Sequence, residues 1–231
     1  PMTRLSLLVV LGLWAGPISA HDDPASGAFD PSGWIKSDQL RMHLSSDGSY
    51  FLAANPDRGQ LAWIDQQGFR MECGGAACRA VSLNVMGHGR EGGKMVPWRG
   101  GNKSVSGDAL EYQGDGMTVQ YEHGTAGLRQ NFLFAARPDG CGDLLVHLNA
   151  GGDGAPVSLS SGAVSFDDDR GTSFLEYSGL RAWDACGDAL NARMLVLGRD
   201  EIVIRVDDSY ARYPIVIDPV AAAPNLLFPP S

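Results

Sequence analysis

The densest run of side chains able to do chemistry is Asp167-Asp168-Asp169, followed at once by Arg170-Gly171. Calcium takes several oxygen ligands and an acidic loop can supply some of them, so these three residues are the candidate metal ligands. Adjacent side chains point in different directions, however, and the glycine is misplaced for an EF-hand loop. A solvated turn between Phe166 and Phe174 explains the run equally well. Asp207-Asp208 is a weaker signal, because paired carboxylates for glycoside hydrolysis must stand at a set distance in space that chain spacing does not fix.

Cysteine and histidine offer other routes to a site. Cys73, Cys78, Cys141 and Cys186 are an even number in a chain that opens with an export-type leader, which makes disulfides the expected state. The glycines of Cys73-Gly-Gly-Ala-Ala-Cys78 let two sulfurs approach, so a Cys73–Cys78 bridge is expected, leaving Cys141 to Cys186. Four thiolates suffice for zinc in principle, but the paired C-x-x-C knuckles of such sites are missing. His21, His43, His88, His123 and His147 show no close ligand spacing and read as ordinary strand or loop residues.

There is no G-x-S-x-G nucleophile elbow. Gly87-His88-Gly89 and Gly114-Asp115-Gly116 do not open a helix after a strand, so they read as turns rather than phosphate cradles. Of Trp34, Trp63, Trp98 and Trp183, Trp98 lies in a glycine-rich loop and is the candidate platform for a sugar. The plainer reading is that it anchors the loop. No catalytic set assembles, so no catalytic residue and no cofactor is assigned, and the chain is not expected to be an enzyme.

The elements that must position these residues are short strands. Thirty Gly and thirteen Pro without low-complexity repeats imply many turns. In Glu201–Val206 the β-branched Ile202, Ile204 and Val206 share one face, the period of a half-buried strand. Gly198-Arg199-Asp200 suits a reversal from Met194–Leu197, which predicts a hairpin. In Gly127–Phe134, residues Leu128, Gln130, Phe132 and Phe134 alternate onto one face. Similar runs predict strands from Gln39 to Leu44, Ser49 to Ala53, Gln60 to Ile64, Gly68 to Cys73 and Arg79 to Met86. They continue from Ala109 to Gln113, Met117 to Tyr121, Leu144 to Leu148, Val157 to Leu159, Ala163 to Phe166 and Ser173 to Tyr177. His88 to Asn102 reads as a loop. The two prolines of Arg212–Pro219 suggest an edge strand or a last strand before an exit. After the leader no long segment has a helical apolar period, so the expected fold is all-β and β-sandwich-like, one or two packed antiparallel sandwiches.

Residues 1–20 have the layout of a signal peptide: Arg4, an apolar core from Leu5 to Trp14, then Gly16-Pro17 and small residues ending at Ala20. Residues 21–32 form an expected flexible lead-in, 33–102 a first β-rich half, 103–219 a second, and 220–231 a tail. The glycine-rich stretch near residue 100 is the candidate boundary. No later segment is long and apolar enough to span a bilayer, so no membrane span is expected in the mature chain. A net charge of −9 argues against nucleic acid and anionic lipid as partners.

The closing stretch has a further signature. Tyr177-Ser178-Gly179-Leu180-Arg181-Ala182-Trp183-Asp184-Ala185-Cys186-Gly187, Asn191-Ala192-Arg193, Asp207-Asp208 and Ala211 to Pro219 resemble the N-terminal β-rich module of large bacterial secreted proteins. In that family the Y-P-x-x-I-D-P end leads into FG-GAP (integrin-α-like) or SBBP β-propeller repeats. Gly127-Leu128-Arg129-Gln130-Asn131-Phe132 is similar to the module's G-L-x-Q-x-F strand, and Leu110-Glu111-Tyr112 and Met117 to Tyr121 resemble the strands before it. The resemblance covers roughly residues 80 to 219. It implies a noncatalytic, secreted or cell-surface module, with propeller repeats as possible downstream partners in a longer protein. Only twelve residues follow Pro219, so the chain is expected to be a fragment or a module standing alone. A secreted carbohydrate-binding or carbohydrate-active protein and a calcium-stabilised adhesion module are the alternatives.

Overall fold

The structure is a computed structural model that describes residues 40–73, 78–106 and 108–224. The expected leader and lead-in, and Trp34, lie outside the described residues. The chain opens with β1 (His43–Leu44), β2 (Phe51–Asn55), β3 (Gln60–Ile64), β4 (Gly68–Cys73), β5 (Arg79–Arg90) and β6 (Val96–Pro97). Next come β7 (Asn102–Ser106), β8 (Ala109–Gln113), β9 (Thr118–Gly124), β10 (Gly127–Phe134) and β11 (Leu144–Gly152). The last are β12 (Ala155–Ser158), β13 (Val164–Asp167), β14 (Ser173–Trp183), β15 (Asn191–Leu197), β16 (Glu201–Asp207) and β17 (Ile215–Ala222). The fold is all-β, as the alternating pattern predicts. Residues 88–102, expected to be a loop, instead contain the end of β5, all of β6 and the start of β7.

Two antiparallel sheets face each other. One runs β1, β2, β3, β4, β5, β11, β16, β15, with β6 folded against β5. The other runs β12, β13, β14, β17, β10, β9, β8, β7. Inward positions alternate with outward ones, so Ile64, Leu83, Val146 and Ile204 of the first sheet share one core with Leu110, Tyr121, Phe132, Tyr177 and Ile217 of the second. The two halves of the chain interleave: β11, β15 and β16, all past residue 103, complete the sheet that the first half begins. The architecture is therefore a single sandwich.

The proline-rich last run is not an edge. β17 lies in the middle of its sheet, between β14 and β10. Pro214 stays outside the strand, after a cis peptide bond from Tyr213. Pro219 lies within it, and the neighbouring strand accommodates it. Ser178 pairs with Val220 and Arg181 with Asp218, so two residues of β14, Gly179 and Leu180, oppose the single Pro219. This bulge falls where the proline has no N–H to give. β17 also runs on to Ala222, so the expected tail begins inside a strand.

Candidate functional site

A bulge in β5 turns polar side chains into a cleft between the sheets. Val81, Leu83 and Val85 point into the core at odd positions. The register against β11 then skips Met86: Leu148 pairs with Val85 and His147 with Gly87. Met86 is left 45% exposed, and the parity of the strand reverses. His88 and Arg90, which an unbroken strand would turn outward, face the space between the sheets and are each 3% exposed.

His88 lies at the base of a cleft of about 490 Å³ at one end of the sandwich. Its walls are Lys94 and Val96, the β8–β9 turn with Asp115 and Gly116, and the segment Ala135–Asp139 after β10. The imidazole meets Phe134 edge-on, with centroids 5.2 Å apart. Neither ring nitrogen is hydrogen-bonded among the described residues. Gly116, at φ +76°, leaves space in front of Nε2, which a Cβ there would approach to 3.3 Å. Burial first, and the Arg90 charge second, push the His88 pKa below its ordinary value, which favours the neutral ring. The cleft thus offers one neutral donor–acceptor ring between two cationic rim groups, Lys94 and Arg137, and two anionic ones, Asp115 and Asp139.

Arg90 performs a structural task beside this cleft. Its Nη1 donates to Asp208 Oδ1 at 2.5 Å and to the Gly142 carbonyl at 3.3 Å. Nε and Nη2 both donate to the Pro138 carbonyl, at 3.2 and 3.1 Å. Tyr213 donates its hydroxyl proton to Asp208 Oδ2. Burial opposes ionisation of Asp208, but the hydrogen bonds from Arg90 and Tyr213 outweigh it and hold the carboxyl below its ordinary pKa. The latch joins the β10–β11 loop, the end of β5 and the β16–β17 loop.

The other acids of the closing stretch are engaged in the same way. Asp184 Oδ1 accepts from the backbone N–H of Cys186 at 2.8 Å and of Asp188 at 3.0 Å. Its Oδ2 accepts from the N–H of Arg212 at 3.0 Å, tying two loops together. Asp218, 2% exposed on the outer face of its sheet, is engaged through one oxygen only: Oδ2 accepts from Arg129 and lies 3.6 Å from Arg181, while Oδ1 is buried without a partner among the described residues.

The acidic run does not converge. Asp167 accepts from the Ser165 hydroxyl at 2.8 Å. Asp168 caps its turn through the N–H groups of Arg170 and Thr172, at 2.8 and 2.9 Å, and pairs with Arg79 at 2.9 Å. Asp169 points to solvent. Among the described residues, no group of three or more His, Cys, Asp or Glu is arranged to hold a metal ion.

The expected disulfides are absent: Cys73, Cys78, Cys141 and Cys186 are free thiols. Register explains the first pair. Cys73 faces the core opposite Arg79, and burial pushes its pKa up to about 11. Cys78, one residue before Arg79, points to the other side, where its thiol lies 3.6 Å from Glu72 Oε2. Glu72 is the neighbour of Cys73 and so faces away from it. Cys141 is exposed in the β10–β11 loop, while Cys186 accepts from Arg212 Nη1 at 3.2 Å.

Trp98 anchors its segment. It is 8% exposed, donates Nε1–H to the Gln66 carbonyl at 2.7 Å and packs its ring beneath Gly114, where a Cβ would meet it at 2.5 Å. Gly114-Asp115-Gly116 is the turn the sequence suggests, whereas Gly87-His88-Gly89 lies within β5. His88 was missed because alternation ran only to Met86, and a bulge leaves no compositional mark. Comparison of the chain with protein-family models, with curated proteins and with solved structures finds no match.

Proposed function

We propose that the chain is a noncatalytic structural or binding module of a bacterial exported protein, the N-terminal part of a larger repeat-containing surface protein. The observation that carries this reading is the engagement of its motif acids. Asp184 and Asp208 use both carboxylate oxygens to tie loops and neighbouring strands together, and Asp218 Oδ2 is held by Arg129, although its Oδ1 is buried without a partner among the described residues. His88 has neither a nucleophile nor a carboxylate within hydrogen-bond reach among the described residues. The leader-like residues 1–20 and the resemblance of the closing stretch support export and a surface location.

Of the alternatives, the sugar-binding one loses support at Trp98, whose ring is covered. The calcium one loses support at Asp167 and Asp168, whose carboxylates are occupied. The test is Asp208→Asn, assayed for stability and for hydrolysis of glycoside, ester and peptide substrates. Removing one partner of a buried ion pair costs about 3–5 kcal/mol, so the expected outcome is a large loss of stability and no turnover by either protein. Turnover by the parent chain, lost in a folded Asp208→Asn variant, overturns the reading.

A further inference from the structure

We propose that the cleft over His88 is a binding site for an uncharged group that both donates and accepts a hydrogen bond, a hydroxyl or a carboxamide, carried on a small partly apolar body. This rests on the noncatalytic reading above and names what such a module would hold. His88 is 97% removed from solvent as a whole residue and makes no hydrogen bond among the described residues, yet its ring nitrogens are not among the fully buried atoms without a partner, so they keep access to the cleft that the ring lines. The β5 bulge turns the ring inward, Phe134 fixes its edge and Gly116 leaves the space before Nε2 open. The chain thus spends a register shift and a positive-φ glycine on presenting one unpartnered imidazole to a cavity.

The chemistry of the ligand follows from the chemistry of the walls. A neutral imidazole carries one donor and one acceptor, so its complement does the same. Lys94 and Arg137 line the cleft together with Asp115 and Asp139, and Arg137 also lies 3.7 Å from Asp208 Oδ2, so both signs of charge are mixed along its walls and neither dominates the lining. Val96, Met117 and Leu133 supply apolar wall, and about 490 Å³ suits a ligand no larger than a sugar unit or two, or an amino-acid side chain. Two sources carry this chemistry: a saccharide, with hydroxyls and an acetamido group, and a peptide bearing Ser, Thr, Asn or Gln.

The test follows the His88 Cε1–Hε1 and Ala135 methyl resonances of the full chain during titration. N-acetylglucosamine represents the saccharide and N-acetylglutamine amide the peptide, with acetate and methylammonium as charged controls. A saturable shift in the millimolar range with either neutral probe is expected, and the tighter of the two names the source. His88→Phe, which keeps a ring against Phe134, is expected to weaken binding at least tenfold. Ala135→Leu, which narrows the cleft from its exposed wall without touching His88, is expected to do the same and decides the matter if the His88 variant does not fold. No saturable shift, tighter binding of a charged control, or undiminished binding by a folded variant overturns the inference. Product formation from a probe would overturn the noncatalytic reading instead, so the two failures are distinguishable.

Discussion

Histidine is where a single residue's environment is most exposed to pH. Burial, and then the charge of Arg90, depress the pKa of His88. Burial also depresses that of His123, although its Nδ1 lies 2.8 Å from the Leu40 carbonyl and that contact pulls the other way. A histidine whose folded pKa lies below its unfolded value of about 6.5 binds its proton more readily when unfolded. Its contribution is therefore fully present above that pH and is lost as pH falls through the window below it. Urea midpoints at pH 7.5 and pH 5 are expected to drop for the parent chain, and to drop distinctly less for a His88→Gln, His123→Gln double variant. An equal drop in both would place the acid sensitivity elsewhere. The five histidines were visible in the sequence, but which of them lose water was not, because neighbours of His88 such as Phe134 of β10 and Gly116 of the β8–β9 turn come from distant parts of the chain.

Strands were legible where alternation is unbroken. Gln60–Ile64, Gly68–Cys73, Ala109–Gln113 and Gly127–Phe134 form at the positions the pattern indicates. It failed at bulges, where two residues face one and the period of two breaks. At Met86 the failure hid the inward turn of His88 and Arg90. At Gly179-Leu180 it hid the accommodation of Pro219, which made a central strand look like an edge. Gly179 has φ +66° and only Val220 Cγ2, 3.9 Å away, near the position of a Cβ. Space is therefore not the obstacle to a side chain there; the left-handed backbone is. Gly179→Ala is expected to cost about 1–2 kcal/mol, read as a lower denaturation midpoint with an unchanged circular dichroism spectrum. A variant as stable as the parent would show that the bulge does not depend on that conformation.

At the scale of the molecule, neither half of the chain owns a core. The β5 strand pairs with β11, some sixty residues later in sequence, and β11 in turn with β16. Residues 33–102 produced alone would present the open edge of β5 and an uncovered apolar face, so the fragment is expected to show no cooperative unfolding transition. A sharp transition with native-like exchange protection would establish an independent unit and overturn the single-sandwich description. What the sequence by itself determined is local: the all-β class, the positions of most strands, and which side chains on each are apolar, because period-two alternation and turn residues are written in neighbouring positions. The tertiary structure alone decided which strands are neighbours, that Cys73 and Cys78 face apart, that the acids of the closing stretch serve as ties, and that His88 is buried at the base of a cleft. Each of these depends on register between distant segments, and a shift of one residue in that register moves a side chain from solvent to core.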